Sequence, residues 1–348
     1  MGLAYATVAL SPRIRDPNVC AQKVPFLDGR ILVGNGNPAS DQSGNRLTVL
    51  KSLSVDLRNI ILLAIGALTF SSSSLLVRLA FPISTFEVTF WRLCFGAIFV
   101  SIVASFRGEL RGWSHNIRSY WSCSLALSLH FLFFVTALWL TSIAHALSIV
   151  YLSPAIIAIV SAQIFHERLS RIQIMGITLS IVGVAVMLGF ELEISSKKLV
   201  GDFFALLSGM MFAAYSILGR IHRRHISAFA YASRIYSLAS ILALPMLIFS
   251  FEAANYSFDR VIALALAGIV PIGIGHTLYN TALKYLSATK VNLMASQEVT
   301  GGVLLGGLFL AEIPSAITVA GVILNVTGIS LVLLQRTTTP LHDTNVST

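Results

Sequence analysis

Charge is scarce in this chain. Asp, Glu, Lys and Arg make up 11% of its 348 residues, against roughly 25% in soluble domains, and the mean hydropathy is +0.80. That excludes an ordinary soluble globular protein. Cysteine is rare too: Cys20, Cys94 and Cys123 have no CxxC spacing, so no dithiol or thiolate metal motif is present, and buried small hydrophobes describe them better. There is no GxxxxGK[ST] to bind ATP and no HExxH to bind zinc. His166-Glu167-Arg168 and His222-Arg223-Arg224-His225 are polar joints without a metal-ligand set. A membrane enzyme would need two or more carboxylates, or a His/Asp set, at one depth, and only Glu298 lies deep in an apolar run. These absences imply no cofactor, no metal and no catalysis. The formal net charge of +9 does not point to nucleic acid either, because the basic residues mostly occupy short joints between apolar runs, where they set membrane topology.

What the chain has instead is hydrophobic length. A membrane-crossing helix takes about 20 mostly apolar residues. Such stretches fall at 58–77, 84–105, 119–140, 144–165, 172–190, 200–219, 228–250, 261–282, 290–311 and 315–335, ten in all. Residues 1–56 hold no spanning run and lack the order of a signal peptide; the sequence predicts a mobile cytoplasmic tail there, with a weak transit peptide as the alternative. A second cytoplasmic tail is expected at 336–348.

The joints alternate in charge. Arg107, Arg111, Arg118, Arg168, Arg171, Arg220, Arg223, Arg224, Lys284 and Lys290 fall on one side. The other side has Arg78, Lys197, Lys198 and Arg260, diluted by Glu191, Glu193, Asp202, Glu252 and Asp259. The positive-inside rule then puts both termini in the cytoplasm, with a bacterial inner membrane as the expected location.

The chain also repeats itself. At a constant spacing of 145, Glu167 meets Glu312, Ser170 meets Ser315, Ile172 meets Ile317, Gly176 meets Gly321 and Gly183 meets Gly328. Ten spans divide into five plus five, and an odd number per half forces the second copy to enter from the opposite face. The expected fold is therefore all-α integral membrane, ten transmembrane helices as two inverted five-helix repeats at 57–190 and 200–335. Inverted repeats are the architecture of alternating-access carriers, with the substrate near the midplane between the halves.

Pro154, the joint Phe165-His166-Glu167-Arg168-Leu169-Ser170, and Gln173, Gly176 and Gly183 resemble the signature of EamA-type carriers of the drug/metabolite transporter superfamily. The second copy matches more loosely, through Glu298, Leu310-Ala311-Glu312 and Gly321. The resemblance implies transport of small metabolites, amino acids or drug-like solutes, often outward. Two positions depart from it: Glu298-Val299 stands where Glu-Pro is frequent, and Ala311 where Gly is usual.

An ionisable side chain in hydrocarbon costs at least ~2.5–3.5 kcal/mol on insertion scales, so each one asks for a role. Arg92 lies well inside the second span, beside Trp91; Arg234 is at a roughly equivalent place in the seventh. Both suit either an anion site or a snorkelling side chain. Glu298 is a candidate for proton coupling or for a structural pair with an arginine. His130 and His276 are mid-span, and His276 closes Pro271-Ile272-Gly273-Ile274-Gly275-His276, a stretch whose freed carbonyls are tolerated only against protein or a water-filled cavity. Tyr279 and Asn280 follow one turn later. Tyr215, Tyr151 and Trp139 are further candidates, with core packing as the alternative.

The substrate-binding candidates are thus Arg92, Glu298, His276, Tyr279, Asn280, Tyr215 and Trp91. The expected partners are a small-molecule substrate, protons and the lipid bilayer, with no nucleic acid and with a homodimer as a further candidate. The function read from the sequence is a secondary transporter moving a small metabolite, an amino acid or related solute, outward. The alternatives are an uptake carrier for a nucleotide-sugar, cofactor or vitamin, or a non-transporting membrane protein.

Overall fold

A computed structural model describes residues 61, 64–110, 118–164, 169–189, 195–222, 226–282 and 288–334. The tails at 1–56 and 336–348, the joint around Glu167, and Arg223, Arg224 and Lys284 lie outside them. Among the described residues the elements are helices: α1 (Ala64–Leu79), α2 (Thr85–Phe106), α3 (Arg118–Leu140), α4 (Ile143–Val150), α5 (Ser153–Ile164), α6 (Arg171–Gly189), α7 (Ser196–His222), α8 (Ala228–Ser250), α9 (Phe258–Ala267), α10 (Thr277–Ala282), α11 (Ala288–Leu310) and α12 (Ala316–Leu334). A π-helical stretch, Gly268–His276, joins α9 to α10.

Among the described residues, six helical stretches are long and apolar enough to cross a membrane, and α1, Arg171–Val186 and Ala316–Val332 are shorter apolar helices. Their packing is inverted relative to a soluble protein. Leu68, Phe106, Phe249, Leu308 and Phe309 point outward, whereas Arg92, His130, His145, Asp202, Arg234, Asn280 and Glu298 are buried. Polar groups facing inward behind an apolar exterior are what a hydrocarbon solvent selects.

Two spans are interrupted. Pro154 is the second residue of α5; it has no N–H to give, and its ring would crowd the carbonyl of Val150, four residues back. α4 accordingly stops at Val150, and the chain turns through Tyr151-Leu152. In the eighth apolar run Pro271 sits inside the π-helical stretch, where the wider i→i+5 pattern absorbs its missing donor.

The two halves meet through equivalent helices. α6 packs on α12 and α2 packs on α8. At the first contact a Cβ placed on Gly176 would lie 2.6 Å from the carbonyl oxygen of Gly328, and one on Gly183 would lie 2.7 Å from that of Gly321. Under the 145-residue equivalence these are one contact seen twice, with Ser180 and its counterpart Asn325 bonded between them at 3.3 Å. A two-fold relation between the halves thus passes through this antiparallel crossing. Gly176→Leu or Gly328→Leu is expected to cost more than the ~1–3 kcal/mol of ordinary core overpacking, since backbone is what the side chain would strike. Folded, monodisperse yield in detergent measures it.

Ala311 has φ +54°, a left-handed conformation that costs an L-residue with a Cβ roughly 1–2 kcal/mol. Glycine removes that cost, which is the physical reason for glycine being usual at this turn. Ala311→Gly is expected to raise thermal stability in detergent, and an unchanged or lower midpoint would contradict it.

Candidate functional site

α1, α2, α3, α4, α7, α11 and the π-helical stretch converge on one buried cluster. Arg92 on α2 is 0% exposed. Its Nη2 donates to Ser73 Oγ of α1 at 2.9 Å, and its guanidinium lies over two rings of α3, 4.9 Å from the Phe131 centroid and 5.7 Å from that of Phe134. Among the described residues neither Nε nor Nη1 has a hydrogen-bond partner. Cation–π contact offsets part of the burial, but two unmet donors on a buried cation are expensive.

Glu298 on α11 is 7% exposed. The Tyr151 hydroxyl donates to its Oε2 at 2.8 Å, and Ser73, the acceptor for Arg92, lines the same cavity as Glu298. Ser73 therefore stands between Arg92 and Glu298, and among the described residues no direct ion pair joins the two. Tyr151 is the C-cap of α4, its N–H still bonded to the Leu147 carbonyl at 2.9 Å, and from there its hydroxyl reaches the carboxylate.

Phe70, Ser73, His130, Phe131, Phe134, Val150, Tyr151, Ser153, Phe212, His276 and Glu298 line a cavity of about 20 Å³. A water needs roughly 10–15 Å³ on the same measure, so the space holds one or two waters and no metabolite. The contributing elements come from both repeats.

The two mid-span histidines differ. His130 is held by α7: Nδ1 meets the Ser208 carbonyl at 3.0 Å, and Ser208 Oγ donates to the His130 carbonyl at 3.0 Å. His276 packs its ring against Phe70 at 4.8 Å and Phe131 at 5.5 Å, and its Nδ1 has no hydrogen-bond partner among the described residues.

The other candidates are distributed around this centre. Tyr279 packs edge-on to Phe70, one layer behind the cavity. Asn280 Nδ2 donates to the Tyr215 hydroxyl at 3.4 Å, a weak bond in a buried group beside α8. Trp91 points away from the centre: its Nε1 donates to the Tyr256 hydroxyl at 2.9 Å, and Tyr256 donates to Glu87 Oε1 at 2.9 Å. Partial burial and the adjacent Glu87 push the Tyr256 phenol up to about 12, against the Trp91 donor, so Tyr256 stays protonated and donating. Glu87 also forms a capping box with Ser84 at the start of α2, which accounts for its burial. Arg234 donates to the Tyr120 hydroxyl at 2.9 Å and is buried, not snorkelling.

The aromatic lining of the cavity and Ser73 were hidden in the sequence by their chemistry. Phe and Ser are ordinary in apolar helices, and the depth of Arg92 and Glu298 marked the place.

A second space, of about 890 Å³, opens at the end of the bundle where Arg78, Thr141, Ser195, Lys197, Lys198 and Glu312 meet. Among the described residues no group of three or more His, Cys, Asp or Glu could hold a metal ion.

A family model described as EamA-like transporter family matches the chain twice, at 57–189 and 199–334. The uncharacterized transporter YxxF of Bacillus subtilis (strain 168) is 23% identical over 258 residues, 72% of this chain and 82% of its own length. An uncharacterized transporter of Archaeoglobus fulgidus is 23% identical over 270 residues, 72% of this chain and 96% of its own. A solved crystal structure at 20% identity superposes with a TM-score of 0.61 over 79% of this chain and 96% of that one, a likeness of fold.

Proposed function

Because this chain belongs to the EamA-like transporter family, we propose that it is a ten-span carrier that works by alternating access, with its substrate site at the Arg92–Ser73–Glu298 cluster. Multi-pass membrane embedding follows from the family and from the apolar helices. The reading takes α4 with α5 as one interrupted span, and α9, the π-helical stretch and α10 as another.

The observation that carries the site is the pair of unmet Arg92 donors directly behind Ser73, Phe131 and Phe134, which line a cavity framed by both halves. A buried cation keeps open donors at a cost, and a carboxylate on the substrate is the group that fits them. Phe70, Phe131, Phe134 and Phe212 then suit an apolar or aromatic body, and Glu298 suits an amino group or a proton. An amino acid or related solute meets all three conditions. The cavity is too small for one, so the arrangement is a closed stage of the cycle, and binding requires it to widen. Export is the proposed direction on the family resemblance alone; both termini are proposed to be cytoplasmic, in a bacterial inner membrane, and the asymmetry of basic joints supports that orientation.

Untargeted metabolite profiling of cells lacking and overexpressing the protein tests the substrate class. Accumulation of an amino-acid-like solute inside deletion cells, with depletion on overexpression, is the expected result; a response confined to cations or sugars would overturn it. For orientation, reporter fusions at residue 198 and at the C-terminus should report opposite compartments.

A further inference from the structure

The large space and the small cavity lie on the same helices. α1 runs from Arg78 at the wide space to Ser73 at the cavity. α4 runs from Ile143 to Val150, and α11 runs back from Gly306 to Glu298. At 1.5 Å rise per residue these five to eight positions amount to roughly 8–12 Å of helix. What fills that distance is close packing of α4 on the glycine face of α11. A Cβ on Gly306 would lie 3.0 Å from Ile143 Cδ1, and one on Gly302 would strike Leu147 Cδ1 and Ser74 Oγ.

One residue fastens this layer from above. Glu312, in the joint between α11 and α12, places Oε1 3.0 Å from Arg78 Nη2 and accepts the backbone N–H of Ile143 on Oε2 at 3.0 Å, capping the first turn of α4. Arg78 Nη2 in turn donates to the Thr141 carbonyl at 2.7 Å. Glu312 belongs to the second repeat, and Arg78, Thr141 and Ile143 to the first. Thr141 Oγ1 continues the chain of bonds to Asp202 Oδ1 at 2.9 Å, and His145 Nδ1 lies 3.3 Å from the same oxygen.

We propose that Glu312 is the latch of a gate between the wide space and the Arg92–Glu298 cavity. Its release from Arg78 and Ile143 lets Ile143 and Leu147 lift off Gly306 and Gly302, and the two spaces become one. The inference rests on the alternating-access reading. Three features favour a latch over a permanent brace. The carboxylate bridges the two halves that must move against each other. Glu312 and Arg78 are about a quarter exposed, and partly solvated ion pairs are weak enough to exchange with water. The contact beneath them is glycine against aliphatic side chains.

The test needs no substrate. In full-length protein with Cys20, Cys94 and Cys123 replaced by serine, Ser153→Cys places a thiol in the cavity at a hydroxyl that has no hydrogen-bond partner among the described residues. A membrane-impermeant sulfonated methanethiosulfonate is applied from each face in turn, and Lys197→Cys identifies the face of the wide space. Glu312→Gln, which keeps an acceptor for Ile143, and Arg78→Gln, which keeps the cap, are each expected to speed labelling of the cavity thiol from that face roughly twofold to fivefold. Labelling from the opposite face should not rise. Unchanged rates in both variants, or equal acceleration from both faces with a lower thermal midpoint, would overturn the latch and leave a brace. Val150→Cys repeats the measurement should Ser153→Cys fold poorly. Faster one-sided labelling in a protein that moves no solute would uphold the gate and remove the transport reading.

Discussion

Arg92→Gln is expected to abolish transport while leaving the protein inserted, monodisperse and near wild-type in thermal stability. Gln can still donate to Ser73, but it loses the charge and the two open donors. Hydrogen bonds to charged groups contribute about 1.5–3 kcal/mol each, so the loss of one or two corresponds to roughly a 10- to 150-fold or larger fall in affinity for a carboxylate substrate. Stability should hold because the arginine is not half of a direct buried ion pair, whose breaking costs about 3–5 kcal/mol. Ser73 lies between it and Glu298 at the cavity, and Glu298 keeps its bond from Tyr151. Transport in proteoliposomes gives one readout and size-exclusion yield the other. A folded Arg92→Gln protein that transports normally would show that Arg92 is bound to the helices alone and that the site is elsewhere.

The succession of apolar helices was legible in the sequence because hydrocarbon imposes a length on each helix. The matched glycines were legible as a pair of motifs, but not as one interface. That Gly176 faces Gly328 and Gly183 faces Gly321 follows only when the halves are laid antiparallel. Arg92 and Glu298 announced themselves by charge, since no other feature of an apolar helix is so costly. Ser73 did not, although it accepts from Arg92 and lines the cavity with Glu298: serines in α1 read equally well as packing residues. Trp91 shows the opposite limit. Its neighbour in sequence is the buried arginine, yet successive residues on a helix point about 100° apart, and the indole ends on Tyr256 in the joint before α9. Glu312 read as a marker of duplication because it matches Glu167. Its bonds to Arg78 and Ile143 depend on three separate joints arriving at one end of the bundle, which spacing along the chain does not encode.

Glu298→Gln is expected to separate exchange from accumulation. A carboxyl that gives up and regains a proton once per cycle ties solute movement to the proton gradient, whereas an amide occupies the same volume and cannot. Proteoliposomes carrying Glu298→Gln should still exchange labelled for unlabelled solute, at a rate within about tenfold of wild type, since the packing and the bond from Tyr151 are retained in kind. Uphill accumulation driven by a pH difference should fall to the equilibrium ratio, and the exchange rate should lose its dependence on pH near Glu298. The groups facing Glu298 are Arg92 through Ser73, Tyr151 from the turn after α4, and the rings of His130 and His276 across the cavity. Either histidine could carry the proton instead, so His130→Gln and His276→Gln are the necessary comparison. If Glu298→Gln accumulates solute as well as wild type while one histidine variant loses accumulation and keeps exchange, the coupling group is that histidine, and Glu298 serves only to hold Tyr151 and Ser73 in place. If all three variants accumulate normally, the carrier runs on the gradient of its own solute. In that case the acid in α11 shapes the cavity electrostatically, as the fixed negative partner across Ser73 from the open donors of Arg92.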